Sequence, residues 1–302
     1  MLISPHPQPL SKVERGANPK IFRYKFPSPF RRGGSGGEEN RNEKTMEKIK
    51  VEYQYDNAVA RVILNAPKGN VMDMIMMRDL QALINEFESM NNLKLITLEG
   101  EGSHFSFGAS VEEHKKELAG GMLENFHALF YSLIKLSIPT AAKVWGQCLG
   151  GAMELCLMCN FIFAEKTAKF AQPEIILGVF PPPASLLLPL KIGSAKAEEL
   201  LITGKTITAE VAKANGFVNE VFDDRDSLNA GLDEFIKSHI LPKSASSLRY
   251  AVKAARKVFN KVLIDELKEL ENMYVNEMMK TEDSNEGIVS FLEKRKPNWK
   301  NK

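Results

Sequence analysis

Ile138–Phe180 reads IPTAAKVWGQCLGGAMELCLMCNFIFAEKTAKFAQPEIILGVF, and the way this stretch divides decides the fold. Pro139 introduces a short apolar run, TAAKVWG, which predicts a buried strand. The glycine pair Gly150-Gly151 then opens GGAMELCLMCN, apolar on every side and therefore expected as a buried helix. FIFAE follows as another strand. The same order of elements recurs upstream: MDMIMMRDLQALINEFESM has helical periodicity and LKLITLEG reads as a strand. Repeated units of this kind predict an α/β core of stacked, curling turns rather than a doubly wound sheet.

Working outward, KVEYQY and VARVILN flank Asp56-Asn57 and predict a β-hairpin. After LKLITLEG comes the loop GSHFSFGAS, then a polar helix near 111–119 and a second helix near 123–135. Beyond Ser185 the chain turns helical. SAKAEELLITG is a helix with Ser194 as its expected N-cap and Gly204 as its stop, and Thr208 and Gly216 bracket another. Helices near 227–239, 244–258 and 263–280 finish the chain, and their Leu, Met and Tyr stripe suggests a subunit contact, with a self-contained cap as the alternative. Residues 1–45, rich in Pro, Gly, Ser and basic side chains, are expected to be a disordered extension. They read either as an organelle transit peptide or as sequence upstream of a true start at Met46, and the second reading is preferred. The expected division is thus 1–45, a core over 46–243 and a helical region over 244–302.

The 302 residues are 44% hydrophobic and 26% charged with a formal net charge of +2, so no global field calls for nucleic acid or an anionic membrane as partner. No apolar run is long enough to predict a membrane span. All three cysteines, Cys148, Cys156 and Cys159, fall in the segment expected to be buried, which suits a reducing compartment, the cytoplasm by default. Cys156 and Cys159 have the spacing of a redox or metal pair, yet no second Cys/His pair accompanies them, and they are expected to be core-filling with no metal site.

Three places can do chemistry. FSFGAS (105–110) is a glycine turn at a strand end, GQCLGGAME (146–154) joins a strand to a helix N-terminus through a glycine turn, and QPEIILG (172–178) carries a lone Glu. Backbone N–H groups at the Gly108-Ala109 turn and at the Gly150-Gly151 helix start could together hold a developing negative charge. The alternative for each turn is a tight bend with no further role. Glu154 and Glu174 both lie in apolar sequence, and two carboxylates converging on one pocket would push their pKa values apart to give an acid and a base. A buried structural pair is the competing reading.

FSFGASVEEHKK, the Ile138–Phe180 block and GKTITAEVAKANGFVNEVF resemble the enoyl-CoA hydratase/isomerase (crotonase) superfamily from about residue 48 onward. HFSFGASVEEH, GQCLGG, QPEIILGVF, SASSLRYAVKAAR and GIVSFLEKRKPNWKNK look like its subgroup of cyclohexa-1,5-diene-1-carbonyl-CoA hydratases of anaerobic benzoyl-CoA degradation. The resemblance implies the crotonase-like (ClpP/crotonase) spiral of ββα turns with a C-terminal helical region, assembled as a homotrimer or homohexamer. It implies a hydro-lyase acting on an acyl-CoA thioester, coenzyme A being part of the substrate and no separate cofactor being needed. The amides of Ala109 and Gly151 become the oxyanion hole, Glu154 the base for water and Glu174 the proton donor, with the two roles interchangeable. Lys68 matches a position near the coenzyme A phosphates, its alternative being a solvated lysine, and Phe107, Gly108, Gly150, Phe180 and Pro182 are the expected substrate contacts. Two departures stand out: Ser110 follows the oxyanion alanine where many members have Asp, and Pro181-Pro182-Pro183 stands where linear enoyl-CoA hydratases carry a glycine turn whose amide helps hold water. Proline has no N–H to offer, which points away from simple crotonyl-CoA hydration and toward a bulkier cyclic acyl group beside Phe180. The competing functions are another crotonase reaction (isomerisation or thioester hydrolysis), a non-catalytic acyl-CoA or RNA binder, and a redox protein using Cys156 and Cys159.

Overall fold

The computed structural model describes residues 42–66 and 68–302. Strand β1 (Asn42–Thr45) pairs antiparallel with β2 (Ile49–Gln54), which turns back into β3 (Val59–Leu64). The turn passes through Tyr55, Asp56 and Asn57 with φ of 53°, 55° and 63°; Asp and Asn tolerate this left-handed region better than other side chains do. Helix α1 (Met74–Phe87) starts where Asp73 accepts the Met76 N–H at 3.1 Å, and it buries a Met76, Leu80, Leu83, Phe87 stripe. Next come β4 (Leu95–Gly100), α2 (Lys116–Leu136), β5 (Thr140–Val144), β6 (Gln147–Leu149), α3 (Gly151–Met158), β7 (Phe161–Glu165) and β8 (Lys169–Ala171). The remainder is α4 (Pro182–Ile192), α5 (Ser194–Thr203), β9 (Ile207–Thr208), α6 (Ala209–Ala214), β10 (Glu220–Phe222), α7 (Arg225–Phe235), α8 (Ala245–Ala255), α9 (Lys257–Asn272) and α10 (Glu282–Leu292).

The large sheet runs β1-β2-β3-β4-β5-β7-β10, antiparallel through β3 and parallel from there on. A small sheet, β6-β8-β9, lies beside it, and two isolated parallel bridges, Ser106 to Cys148 and Met72 to Ala109, carry it back toward the start of the chain. Successive turns therefore place one strand in each layer: β4 leads to Ser106, β5 to β6, β7 to β8. This is the expected spiral. β4 and β5 are buried at every position because helices cover the parallel part of the sheet, so they read as unbroken apolar runs.

Several boundaries differ from those the sequence suggested. The expectation for residues 1–45 lies outside the described residues except at Asn42–Thr45, which form β1; the sheet starts just before Met46 because the hairpin offers an open edge. The two helices expected near 111–119 and 123–135 are instead a short 3₁₀ turn (Val111–His114) and one continuous α2 running through Gly120-Gly121. The buried row Ala119, Met122, Leu123, Phe126 continues across the glycines and outweighs their poor helix propensity. Gly193 rather than Ser194 caps α5. The triple proline begins a helix: Pro182 and Pro183 are the first two residues of α4, where no N–H is required. Helix α10, capped by the Thr281 side chain, went unread. The C-terminal helices pack on the core, supplying Leu263, Leu267, Tyr274, Met279 and Ile288 to its main cluster, whereas α8 fully buries no residue. No helix of the described residues is long and apolar enough to cross a membrane, and no cluster of three or more metal-ligating side chains occurs among them.

Candidate active site

After β4 the chain runs beside β6. Ser106 N–H donates to Gln147 O (3.0 Å) and Leu149 N–H to Ser106 O (3.1 Å). One step further, Met72 N–H donates to Gly108 O (2.9 Å) and Ser110 N–H to Met72 O (3.2 Å). Neighbouring residues of an extended segment face opposite ways, so this bridge turns the Ala109 N–H away from Met72. Gly108 makes the approach possible: its φ is +92°, and a Cβ there would stand 2.4 Å from Leu149 O. Gly150, at φ +52°, precedes α3 and donates its own N–H to Ala171 O at 2.9 Å. A Cβ built on Gly151 would lie 3.3 Å from the Ala109 nitrogen, so the two expected donors stand side by side at the positive end of α3. Neither N–H has an acceptor among the described residues.

The bond from Gly150 to Ala171 ties the glycine turn to the segment that carries Glu174, a 3₁₀ turn at Pro173–Leu177. A Cβ on Gly150 would meet Glu174 Oε1 at 2.6 Å; only glycine lets this carboxyl lie over the helix start. Glu154, one turn into α3, is likewise buried. Its Oε1 accepts the Ala184 N–H at 2.8 Å. Because residues 181–183 are all proline, Ala184 supplies the first N–H of α4, and that hydrogen goes to Glu154. Gln172, with its amide oriented to satisfy both ends, donates to Glu174 Oε2 and Oε1 at 3.1 and 3.2 Å. Burial pushes the Glu154 carboxyl up to about 8 against the restraining Ala184 bond. Burial raises Glu174 well above the ordinary carboxyl range, and the charge of Glu154 raises it further.

Both carboxyls line a narrow cavity of about 70 Å³ together with Ala109, Gly150, Gly151, Phe180 and Pro182. Phe107 stands at its edge and is shared with an open cleft of about 590 Å³ that contains Lys68, Asn65, Ser103 and His104. The expected residues thus divide: Lys68 is exposed in the outer cleft, Phe107 lies between, Gly108 sits behind the cavity wall against Leu149 O, and the others line the inner cavity. Sequence reading passed over Ala184, Gln172, His114 and Tyr274. His114 lines the cavity with Nδ1 2.7 Å from Ser110 O, and burial lowers its pKa, so the ring is neutral with that nitrogen as donor. Tyr274 packs edge-on against Phe180 with ring centroids 5.5 Å apart. The only hint of it in the sequence was a tyrosine inside a Met-rich stripe. The cysteines are buried and free; Cys156 Sγ faces Cys148 Sγ at 3.6 Å rather than Cys159, and burial raises the Cys156 and Cys159 thiols.

Two paired donors beside two proton-holding carboxyls can polarise a carbonyl while moving a proton to or from the atoms conjugated with it. Comparison with known proteins agrees with this chemistry. Residues 54–302 match the enoyl-CoA hydratase/isomerase family. The chain is 38% identical over 254 residues to a cyclohexa-1,5-dienecarbonyl-CoA hydratase of Thauera aromatica, covering 84% of this chain and 97% of that one. It is 34% identical over 258 residues to a probable enoyl-CoA hydratase of Mycobacterium bovis, covering 84% and 98%. An enoyl-CoA hydratase structure from Mycobacterium avium subsp. paratuberculosis superposes with a TM-score of 0.75 at 22% identity, over 85% of this chain and all of the other, which shows the shared fold. The chain belongs to the enoyl-CoA hydratase/isomerase family.

Proposed function

We propose that the protein is a hydro-lyase that adds water to cyclohexa-1,5-diene-1-carbonyl-CoA, giving 6-hydroxycyclohex-1-ene-1-carbonyl-CoA. The observation that carries the reading is the unpaired pair of N–H groups, Ala109 and Gly151, next to the buried Glu154 and Glu174. The thioester oxygen accepts both amides, which draws electron density out of the ring and makes carbon 2 electrophilic. Glu154 takes a proton from water as its oxygen bonds to carbon 2. The displaced electron pair spreads through the enolate to carbon 5, where Glu174 delivers its proton, and the remaining double bond joins carbons 1 and 6. This division of labour rests on burial and charge. The Ala184 N–H favours the ionised form of Glu154, and although the Gln172 amide donates to Glu174, burial and the neighbouring charge keep the proton on that carboxyl longer. The active species therefore has Glu154 ionised and Glu174 protonated. Lys68 in the outer cleft would meet the coenzyme A phosphates. Assembly as a trimer or a pair of trimers is part of the proposal, resting on apolar side chains left exposed on the C-terminal helices, such as Tyr250, Val258 and Phe291.

The 38% identity and the proline-built wall support the cyclic substrate. A second reading, hydration of a linear enoyl-CoA, has its own support: a cavity of about 70 Å³ is half the roughly 150 Å³ that accommodates a benzene ring. For the cyclic acyl group a wall side chain must shift, and Phe107, 42% exposed at the rim, is free to do so. Offering the cyclic diene thioester and crotonyl-CoA side by side, with products identified by mass spectrometry, decides between them. At least ten-fold higher kcat/KM on the cyclic diene is expected, and the reverse order would establish the linear substrate. Glu174→Gln should abolish hydration of either; turnover near wild type would reject its proton-carrying role.

A further inference from the structure

Tyr274 is the one buried hydroxyl among the described residues for which no partner is found, and it borders the reaction cavity. Its residue exposure is 1%, and an enclosed hydroxyl with neither donor nor acceptor is costly unless a ligand completes it. The ring is held from two sides. Phe180 meets it edge-on, and the helix carrying it widens into a π-helical turn at Met273–Glu277, where the Met278 N–H reaches back to Met273 O. Turns of this kind interrupt a helix at a cost and cluster at functional sites. Burial and then the charges of Glu174 and Glu154 raise the Tyr274 pKa, so the phenol stays protonated next to both carboxyls.

A reacting water needs two to four polar partners. The carboxyls supply acceptors, but the proline wall has no N–H to spare: residues 181–183 lack one, and that of Ala184 is taken by Glu154. His114 cannot make good the deficit, because its Nδ1 hydrogen is directed at Ser110 O and its other nitrogen is an acceptor in the neutral ring. Tyr274 remains.

We infer that the Tyr274 hydroxyl holds the oxygen of the reacting water, and afterwards the new hydroxyl of the product, a contact the proline wall cannot make. The inference rests on the hydratase reading above and names one more residue that touches the reacting atoms. The phenol keeps its own proton throughout; it orients the water while Glu154 removes the hydrogen.

The test is Tyr274→Phe, which retains the ring against Phe180 and deletes only the oxygen. For hydration, kcat should drop about 10- to 100-fold with KM within two-fold of wild type. Binding supplies a readout that a purely structural role would not move. The hydroxylated product thioester should bind about ten-fold more weakly to the variant, while cyclohex-1-ene-1-carbonyl-CoA, which lacks the hydroxyl, binds equally to both proteins. Unchanged kcat, or equal weakening of the two ligands, would overturn the assignment. If the wild-type protein hydrates neither thioester, the hydratase reading fails on its own, and the paired binding measurement still decides whether Tyr274 meets a ligand hydroxyl.

Discussion

Glu154→Gln should make the protein more stable and less active, with the gain in stability appearing only as pH rises. In the folded chain burial holds the Glu154 proton until about pH 8, while an unfolded chain releases it near the ordinary value of 4.5. Between those limits the folded state binds more protons than the unfolded one, so stability falls by about 1.4 kcal/mol for each pH unit. Accumulated from 4.5 to about 8, this approaches about 5 kcal/mol, and beyond that it levels off. Glutamine has the same shape, can still accept the Ala184 N–H and does not titrate. Relaxation and residual structure in the unfolded chain reduce the gain, leaving about 2–4 kcal/mol expected at pH 8.5 and little at pH 5. For a domain of this size that corresponds to a rise of roughly 5–12 °C in Tm. Thermal scans of both proteins from pH 5 to 9 measure it, and the gap should widen steadily toward pH 8. A gap that stays flat across the range would mean that Glu154 is an ordinary carboxyl, and the acid-base argument built on its burial would fall with it. Hydration by the same variant should be slower by about 10²- to 10⁴-fold.

In the wild type, kcat/KM for hydration should climb as pH approaches about 8, because the base must first lose its proton, and decline again once Glu174 ionises; a pH–rate profile checks both limbs. Gly108→Ala places a Cβ 2.4 Å from Leu149 O in a backbone of φ +92°, so it should cost about 1–3 kcal/mol in urea denaturation and depress kcat more than it raises KM, by moving the Ala109 amide. Lys68→Ala, in the exposed outer cleft, should raise KM for CoA thioesters about three- to ten-fold at low salt with kcat unchanged, and the difference should shrink in 0.5 M salt. The three cysteines should resist a thiol reagent in the native protein and react fully in urea, as measured by released chromophore.

Much of this was legible in the sequence because it is local. The hairpin about Asp56-Asn57, the strand, glycine turn and helix of residues 140–158 and the lone Glu174 in an apolar run each carry their signal within a few neighbouring residues. The failures have a common cause, which is that tertiary burial reversed a local preference. Gly120-Gly121 looks like a break until the apolar row on either side is seen to pack on α1. The open edge of β2 recruits Asn42–Thr45, whose sequence, NEKT, has no strand character of its own. Tyr274 belongs to a stripe that looked like an intersubunit face, yet it folds back onto its own chain against Phe180, a contact separated by nearly a hundred residues that no periodicity announces.

The triple proline shows how a local rule, taken one residue further, leads to the mechanism. Its sequence meaning was subtraction: an amide that could have held water is missing. In the fold the same three residues begin α4, and a helix start that opens with prolines concentrates its free donors further along. The first of these, Ala184, is aimed at one carboxyl and not the other. Glu174 has a donor of its own in the Gln172 side-chain amide, so the two glutamates of this apolar cavity differ in the kind of partner: a backbone N–H for one, an amide side chain for the other. In the proposed mechanism Glu154, restrained by the backbone N–H, ionises first and draws a proton from water, while burial and the charge of Glu154 keep Glu174 as the acid. The prolines that remove a contact for water thereby leave the first N–H of the helix to the carboxyl proposed to deprotonate it.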